Sequence, residues 1–498
     1  MNLFVKKSTA ELRAEAESGK FKRVLGPVNL TTLGIGAIIG AGIFVMTGTA
    51  ASQNAGPALV ISMLLAGVAC AFAGLCYAEM ASMIPVAGSA YTYAYATLGE
   101  LMAWIIGWDL ILEYSVSTAS VAVGWSGYAV RFLNNLGIHL PPELAAPRGA
   151  EMMLADGTFY VGVFNLPATL VVLAVTTLLV IGMRESARVN TTIVIIKVAV
   201  LLIFLAVGIG HVNPDNWQPF VPPNTGDFGQ FGWSGVLRGA GVIFFAYIGF
   251  DAVSTTAQEA KNPQRDLPIG MLASLIICTV IYVAVALVLT GLVRYDQLGV
   301  PNPVSLGVAA TGYDWLEPVI NVGAVAGLSS VMLVNLLGQS RIFFSMSRDG
   351  LLPGVFKRMH PRFRTPWLGT ALTGSLIALA AGMVDITTLG LLTSMGTLLA
   401  FAIVCAGVLI LRRTAPELER PFRVPGAPWT PLLGVLSCLY LMIGLPPQTW
   451  VRLIVWLVIG MIVYIAYGYR SAARMRRAQE LERNRIDSDD YEPTRVGY

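Results

Sequence analysis

Asp109 and Glu113 stand four residues apart in the run GWDLILEYS, which stacks two carboxylates on one face of a helix. Their surroundings are apolar, and a charge at the centre of a bilayer costs roughly 2.5–3.5 kcal/mol, so each acid needs a reason to be there. Two like charges this close repel unless one holds a proton or a cation sits between them and another group. A cationic ligand would satisfy them; so would a structural network with Lys197 or Arg238. Lys197 lies in NTTIVIIKVAVLLIF with no acid within several turns. A lysine at that depth can exchange its proton, which makes it a candidate proton carrier. Asp251 closes the run VIFFAYIGFD and either adds a third carboxylate to a cavity or caps a helix that begins near Gly249. Arg238, about a turn and a half beyond Trp233, falls at the outer mouth of such a cavity or snorkels.

The elements that position these charges are membrane spans. A chain of 498 residues that is 55% hydrophobic and 12% charged, with mean hydropathy +0.67, is not a soluble globule. Hydropathy divides it into about twelve spans of an all-α polytopic membrane protein, with no soluble domain. Cys70, Cys76, Cys278, Cys405 and Cys438 all fall inside apolar segments and read as small core residues. His139, His211 and His360 are scattered over loops and span ends. Neither a catalytic constellation nor a metal site can be assembled, and no cofactor is implied. Glu79 reads as structural, near the cytoplasmic end of the second span, and Glu100 as a first-turn helix charge. The polar start of the chain has no continuous apolar core, so a cleavable signal peptide is not expected.

Two spans are punctured. The first, TTLGIGAIIGAGIFVMTGTAA from Thr31 to Ala51, is long enough to cross a bilayer but carries Gly34, Gly36, Gly40, Gly42 and Gly48. In lipid an unpaired amide is costly, so a helix opens at Gly40-Ala41-Gly42 only where protein or a watery cavity surrounds it. The amides that start the second half-helix then face the gap with a positive dipole end, which suits a carboxylate. Gly34, Gly36 and Gly74 read instead as close-packing positions. The sixth span is interrupted at Gly249 and Asp251. Interruptions in the first and sixth spans are what an inverted five-plus-five repeat produces, with the binding site at the midplane.

Lysine and arginine placement orients the chain. Lys6, Lys7, Arg184, Arg188, Lys261, Arg341, Arg348, Lys357, Arg412, Arg413 and the tail arginines fall on one side, against Arg131, Arg148, Arg294 and Arg452 on the other. This puts both termini in the cytoplasm. Residues 1–27 then form a cytoplasmic segment, 28–469 the membrane domain and 470–498 a cytoplasmic tail. Within the domain, 28–212 and 231–411 are the two repeats and 431–469 two additional helices. The basic tail suits anionic lipid headgroups rather than nucleic acid.

LGIGAIIGAGIFVMTG, AYIGFDAVSTTAQEAKNPQRDLPIG, and SRDGLLP followed by RTP together resemble the amino acid, polyamine and organocation superfamily, in its bacterial cationic amino acid transporter branch. The resemblance runs from about Phe21 to about Tyr469. It implies the inverted five-plus-five fold with two discontinuous helices, and uptake of an L-amino acid coupled to protons across the bacterial cytoplasmic membrane. Carried over, Gly40, Ala41 and Gly42, flanked by Ile39, hold the α-carboxylate through their amides; relatives often have Ser or Thr where Ala41 stands. Carbonyls of Phe245, Ala246 and Ile248 take the α-ammonium, and Phe245 closes as an aromatic gate. Glu113 meets a distal positive group, with Asp109 and Asp251 in support, and Lys197 carries the proton. The substrate so implied is L-arginine, lysine or ornithine. A broad or neutral amino acid transporter, for instance of alanine, or an amino acid/amine exchanger is the alternative. The pattern carries no signal for oligomeric state or for a small membrane subunit on the outer helices.

Overall fold

The structure, a computed structural model, describes residues 5–6, 23–84, 89–153, 159–182, 187–477 and 481. Most of the 1–27 segment, loop residues 85–88, Arg184 and the tail beyond 477 except residue 481 therefore lie outside the described residues, as does the side chain of Arg188.

The principal helices are α1 (Pro27–Ile38), α2 (Leu59–Met83), α3 (Glu100–Asn135), α4 (Leu166–Ile181), α5 (Ala187–Gly208) and α6 (Gly232–Ile243). They continue with α7 (Pro263–Leu292), α8 (Leu316–Arg348), α9 (Trp367–Met383), α10 (Ile386–Thr414), α11 (Trp429–Gly444) and α12 (Pro447–Val463). Short helices at Ser89–Thr97 and Pro303–Ala309 and an antiparallel hairpin, β1 (Glu151–Met153) with β2 (Phe159–Val161), were not anticipated from hydropathy. These pieces are too short or too polar to register in a span-length window.

Local chemistry sets the ends. The Asn165 side chain accepts from the Ala168 amide and Asp385 from Thr388, the usual use of a short polar side chain at a helix start. Proline stands in the first turn of α7 and of α12, where its missing N–H costs nothing.

Among the described residues, seven helical stretches are long and apolar enough to cross a membrane, and α1, α4, α9 and α11 are shorter apolar helices. Their outward faces are bare hydrocarbon: Val451, Ile454, Val455, Val458 and Ile462 of α12 are exposed, as are Leu372, Leu376 and Leu379 of α9. An apolar surface this continuous belongs in lipid. Inside, the helices sort into two packed groups. α7 lies against α1 and α2, with α6 against α2; α3 lies against α8, α9 and α4. The five cysteines are buried and unpaired.

Glu79 ties the second span to the far end of the chain. It is 1% exposed and accepts from Arg412 Nε at 3.0 Å and from the Val424 amide at 2.7 Å, with Arg420 Nε 3.5 Å away. Removing one partner of such a network strands the other charges, at a cost of about 3 kcal/mol or more. Glu79→Ala is accordingly expected to lower the thermal unfolding midpoint and membrane yield, whereas Glu79→Gln, which keeps an acceptor, falls between it and the wild type. Glu100 also proves to be more than a first-turn charge: it is fully buried, accepts from Tyr464 at 2.9 Å and Tyr95 at 3.2 Å, and pairs with Arg476.

Candidate functional site

The first span is broken, slightly earlier than the glycines suggested. α1 ends at Ile38, Ile39 and Gly40 leave the helix, and the chain resumes as a π-helical turn over Gly42–Met46. Ile39 is extended, with ψ 96°, while Ala41 is already helical. The last carbonyls of a helix have no partner within it, and a break inside a membrane cannot leave them bare. Here side chains supply the donors. Lys197 of α5 donates its ammonium to the carbonyls of Gly36 and of Ile39, the latter at 2.9 Å, and the Tyr282 hydroxyl of α7 donates to Ile38 at 2.8 Å. On the far side of the break Tyr128 of α3 donates to the Phe44 carbonyl at 2.6 Å. By helix geometry the first amides of the resumed segment, ahead of Phe44, whose N–H donates to the Gly40 carbonyl at 3.3 Å, have no partner within it and are the donors nearest the gap.

The sixth span is broken too, at Gly249 as its sequence suggested and at Ile248, the last of the three residues the resemblance named. α6 tightens into a 3-10 turn at Phe244–Tyr247, so Phe245 and Ala246 stay helical. The chain reverses at Ile248, which is extended, and Gly249, whose φ is 122°. Only glycine adopts that conformation without strain, which is why the interruption falls there. A ten-residue 3-10 segment, Phe250–Glu259, follows with Asp251 in its first turn. The two breaks face each other. A Cβ on Gly42 would lie 2.8 Å from the Ala246 amide nitrogen, and one on Gly249 would lie 2.7 Å from the carbonyl carbon of Ala37. Gly40 faces Val331 of α8, and Ala41 lies against Gly124 of α3. Ile39, Ala41, Phe245 and Ala246 are all buried, and Ile248 is partly so. Gly34 packs on Ser274 and Val253, and Gly74 on Leu275 and Phe250, as the close-packing reading expected.

The acids lie deeper. Asp109, Glu113 and Asp251 are each 2% exposed or less. Glu113 is within electrostatic reach of the other two. Among the described residues, both Asp109 oxygens, Glu113 Oε2 and Asp251 Oδ2 lack a hydrogen-bond partner, so the structural network with Lys197 or Arg238 does not hold them. From Gly124, beside Ala41, to Glu113 is eleven residues of α3, or about 16 Å along the axis. Glu113 and Asp109 thus sit well to one side of the gap along α3, and the 5.1–5.9 Å aromatic cluster of Tyr77, Phe250, Phe401 and Phe244 borders the acids. Unpartnered carboxylates in a dry interior are accommodated by a proton or by a cation. Among the described residues no three acids, histidines or cysteines are placed to hold a metal ion.

Sequence reasoning missed Tyr282 and Tyr128. A tyrosine in an apolar helix carries a hydroxyl that must find a partner, which was the one available signal. It also missed Gly327 of α8, where a Cβ would meet the Lys197 stem at 3.2 Å.

Broken helices facing one another inside an apolar bundle define a membrane permease. The chain belongs to the amino acid permease family of the amino acid, polyamine and organocation superfamily, whose model matches residues 25–468. It is similar to two Bacillus subtilis (strain 168) proteins. One is the branched-chain amino acid permease BcaP, 49% identical over 469 residues that span 94% of this chain and 98% of the relative. The other is the methylthioribose transporter, 46% identical over 467 residues with the same coverage. The vacuolar cationic amino acid transporter 4 of Arabidopsis thaliana is 40% identical over 394 residues, 79% of this chain and 64% of the relative.

Proposed function

We propose that this permease is a proton-coupled symporter that imports an L-amino acid across the bacterial cytoplasmic membrane by alternating access. The observation that carries the reading is the pair of opposed breaks at Ile39–Gly40 and Ile248–Gly249, with Lys197 bonded to the first. In this reading Ile39, Gly40, Ala41 and Gly42 surround the α-carboxylate, and Phe245, Ala246 and Ile248 the α-ammonium. The Phe245 carbonyl already accepts from the Ile248 amide at 3.4 Å, a long bond that an ammonium can displace. Residues 28–212 and 231–411 act as inverted repeats of a twelve-span fold with both termini cytoplasmic. The group of α1, α2, α6 and α7 rocks against that of α3, α4, α8 and α9 around the midplane.

The substrate's tail points toward Asp251, two residues past the second break, and a cationic tail such as that of arginine, lysine or ornithine is met by Glu113 and Asp109, farther along α3, as it leaves inward past oxygens that otherwise lack partners. A second reading has an observation of its own. The relative of 49% identity is named a branched-chain amino acid permease, and Val331, Phe245 and Ile248 at the gap suit an aliphatic tail, with the acids held neutral by protons.

The two are separated by uptake into proteoliposomes with an inward proton gradient. On the first reading labelled arginine accumulates, and Glu113→Gln cuts its uptake about 10–100-fold, the worth of a charge-assisted hydrogen bond. Leucine uptake, where present, changes much less. Leucine accumulation that arginine does not compete with would establish the second reading instead.

A further inference from the structure

A cavity of about 440 Å³ opens outward of the two breaks, between the end of the first span, α6, and the starts of α10 and α12. Gln53, Asn54, Gln230, Val242 and Thr387 line it, and among the described residues Arg238 is the one charged side chain in its wall. Arg238 is eight residues before Ala246, so its Cα stands about 12 Å outward of the gap along α6.

Arg238 is positioned rather than loose. Its Nε donates to the Gly444 carbonyl at 3.2 Å, and its Cζ lies 5.4 Å from the centre of the Phe228 ring. Gly229 makes the cradle: a Cβ there would come within 2.5 Å of Arg238 Cδ and closer still to Nε and Cζ. Asp227 lies within electrostatic reach, but among the described residues no ion pair holds the guanidinium and no acceptor takes its two terminal amino groups. Half-buried and walled by amides, such a group offers a planar two-donor fork that matches a carboxylate.

We propose that Arg238 forms an outer capture site for the carboxylate of an incoming amino acid. The inference rests on the amino acid reading above. In a zwitterion the carboxylate is the only group Arg238 attracts. The molecule is therefore caught by the same end that the free amides beyond Gly40 are placed to grip, and a cationic tail is turned away from the wall. A positive group focused in a cleft raises the local concentration of an anionic group and the rate of its entry, and salt weakens the effect.

The test is initial uptake by proteoliposomes of an equimolar mixture of the labelled protein amino acids, in low and high external choline chloride. At low substrate and low salt Arg238→Gln is expected to take up about tenfold less than the wild type. The two converge at saturating substrate and again at high salt, and Arg238→Lys retains most of the wild-type rate. Equal uptake by Arg238→Gln at low substrate would overturn the proposal. So would a loss that persists at saturation and high salt and that lysine does not rescue, since that is the mark of a structural role. A wild type that takes up none of the mixture would remove the amino acid reading itself, a different outcome from either.

Discussion

Lys197→Met is expected to abolish accumulation against a gradient and to leave uptake that only equilibrates across the membrane. The Lys197 ammonium joins the two helix groups: it donates to Gly36 and Ile39 at the broken end of α1, while its stem lies along Gly327 of α8. A cation at the C-terminal end of a helix is favourable, and its hydrogen bonds to orphan carbonyls are among the stronger kind. Gain or loss of a proton there changes the affinity of α5 and α8 for α1, the differential a ligand needs in order to shift two states. In the wild type, lowering external pH raises the initial rate; in the methionine variant the rate is flat with pH. Methionine also leaves two buried carbonyls without a donor, at about 1–3 kcal/mol each, so Lys197→Gln is the companion variant. It keeps one neutral donor and is expected to retain counterflow better than methionine while still failing to accumulate. Accumulation by either variant with unchanged dependence on the proton gradient would refute the assignment.

The spans were legible because about twenty apolar residues in a row have few other uses. The first break was legible from glycine density, to within two residues. The second was legible at Gly249, because the reversal needs the one residue that tolerates φ 122°, whereas Phe245 and Ala246, which the resemblance added with Ile248, tighten into a 3-10 turn. Site partners were less legible, since they join residues far apart in the chain. Nothing near Lys197 in sequence announces the carbonyls of Gly36 and Ile39, 161 and 158 residues away, and nothing near Glu79 announces Arg412, 333 residues on. The acids at 109 and 113 were visible as a pair, whereas their approach to Asp251 depends on how the sixth span bends after Gly249.

Gly42→Ala carries the other large effect: transport is expected to fall below detection, about a hundredfold or more, the scale on which misplacing a reacting or binding group by an ångström acts. The added methyl would meet the backbone of Ala246, with its amide nitrogen at 2.8 Å and its Cα closer, so no rotamer change makes room. The two broken spans must separate, and the cradle between the free amides and the carbonyls opposite is lost. Gly40→Ala is the control. There the methyl meets only the side chain of Val331, with Cγ2 at 3.3 Å, and a side chain can give way. Gly40→Ala is therefore expected to reduce uptake severalfold, and Val331→Ala in the same chain to restore it. Ala246→Gly, by contrast, cannot rescue Gly42→Ala, because the obstructing Cα and amide nitrogen remain. Purified yield and a monodisperse elution profile separate a lost site from a lost fold. If Gly42→Ala transported normally, the close approach of the two breaks would have no part in holding the substrate.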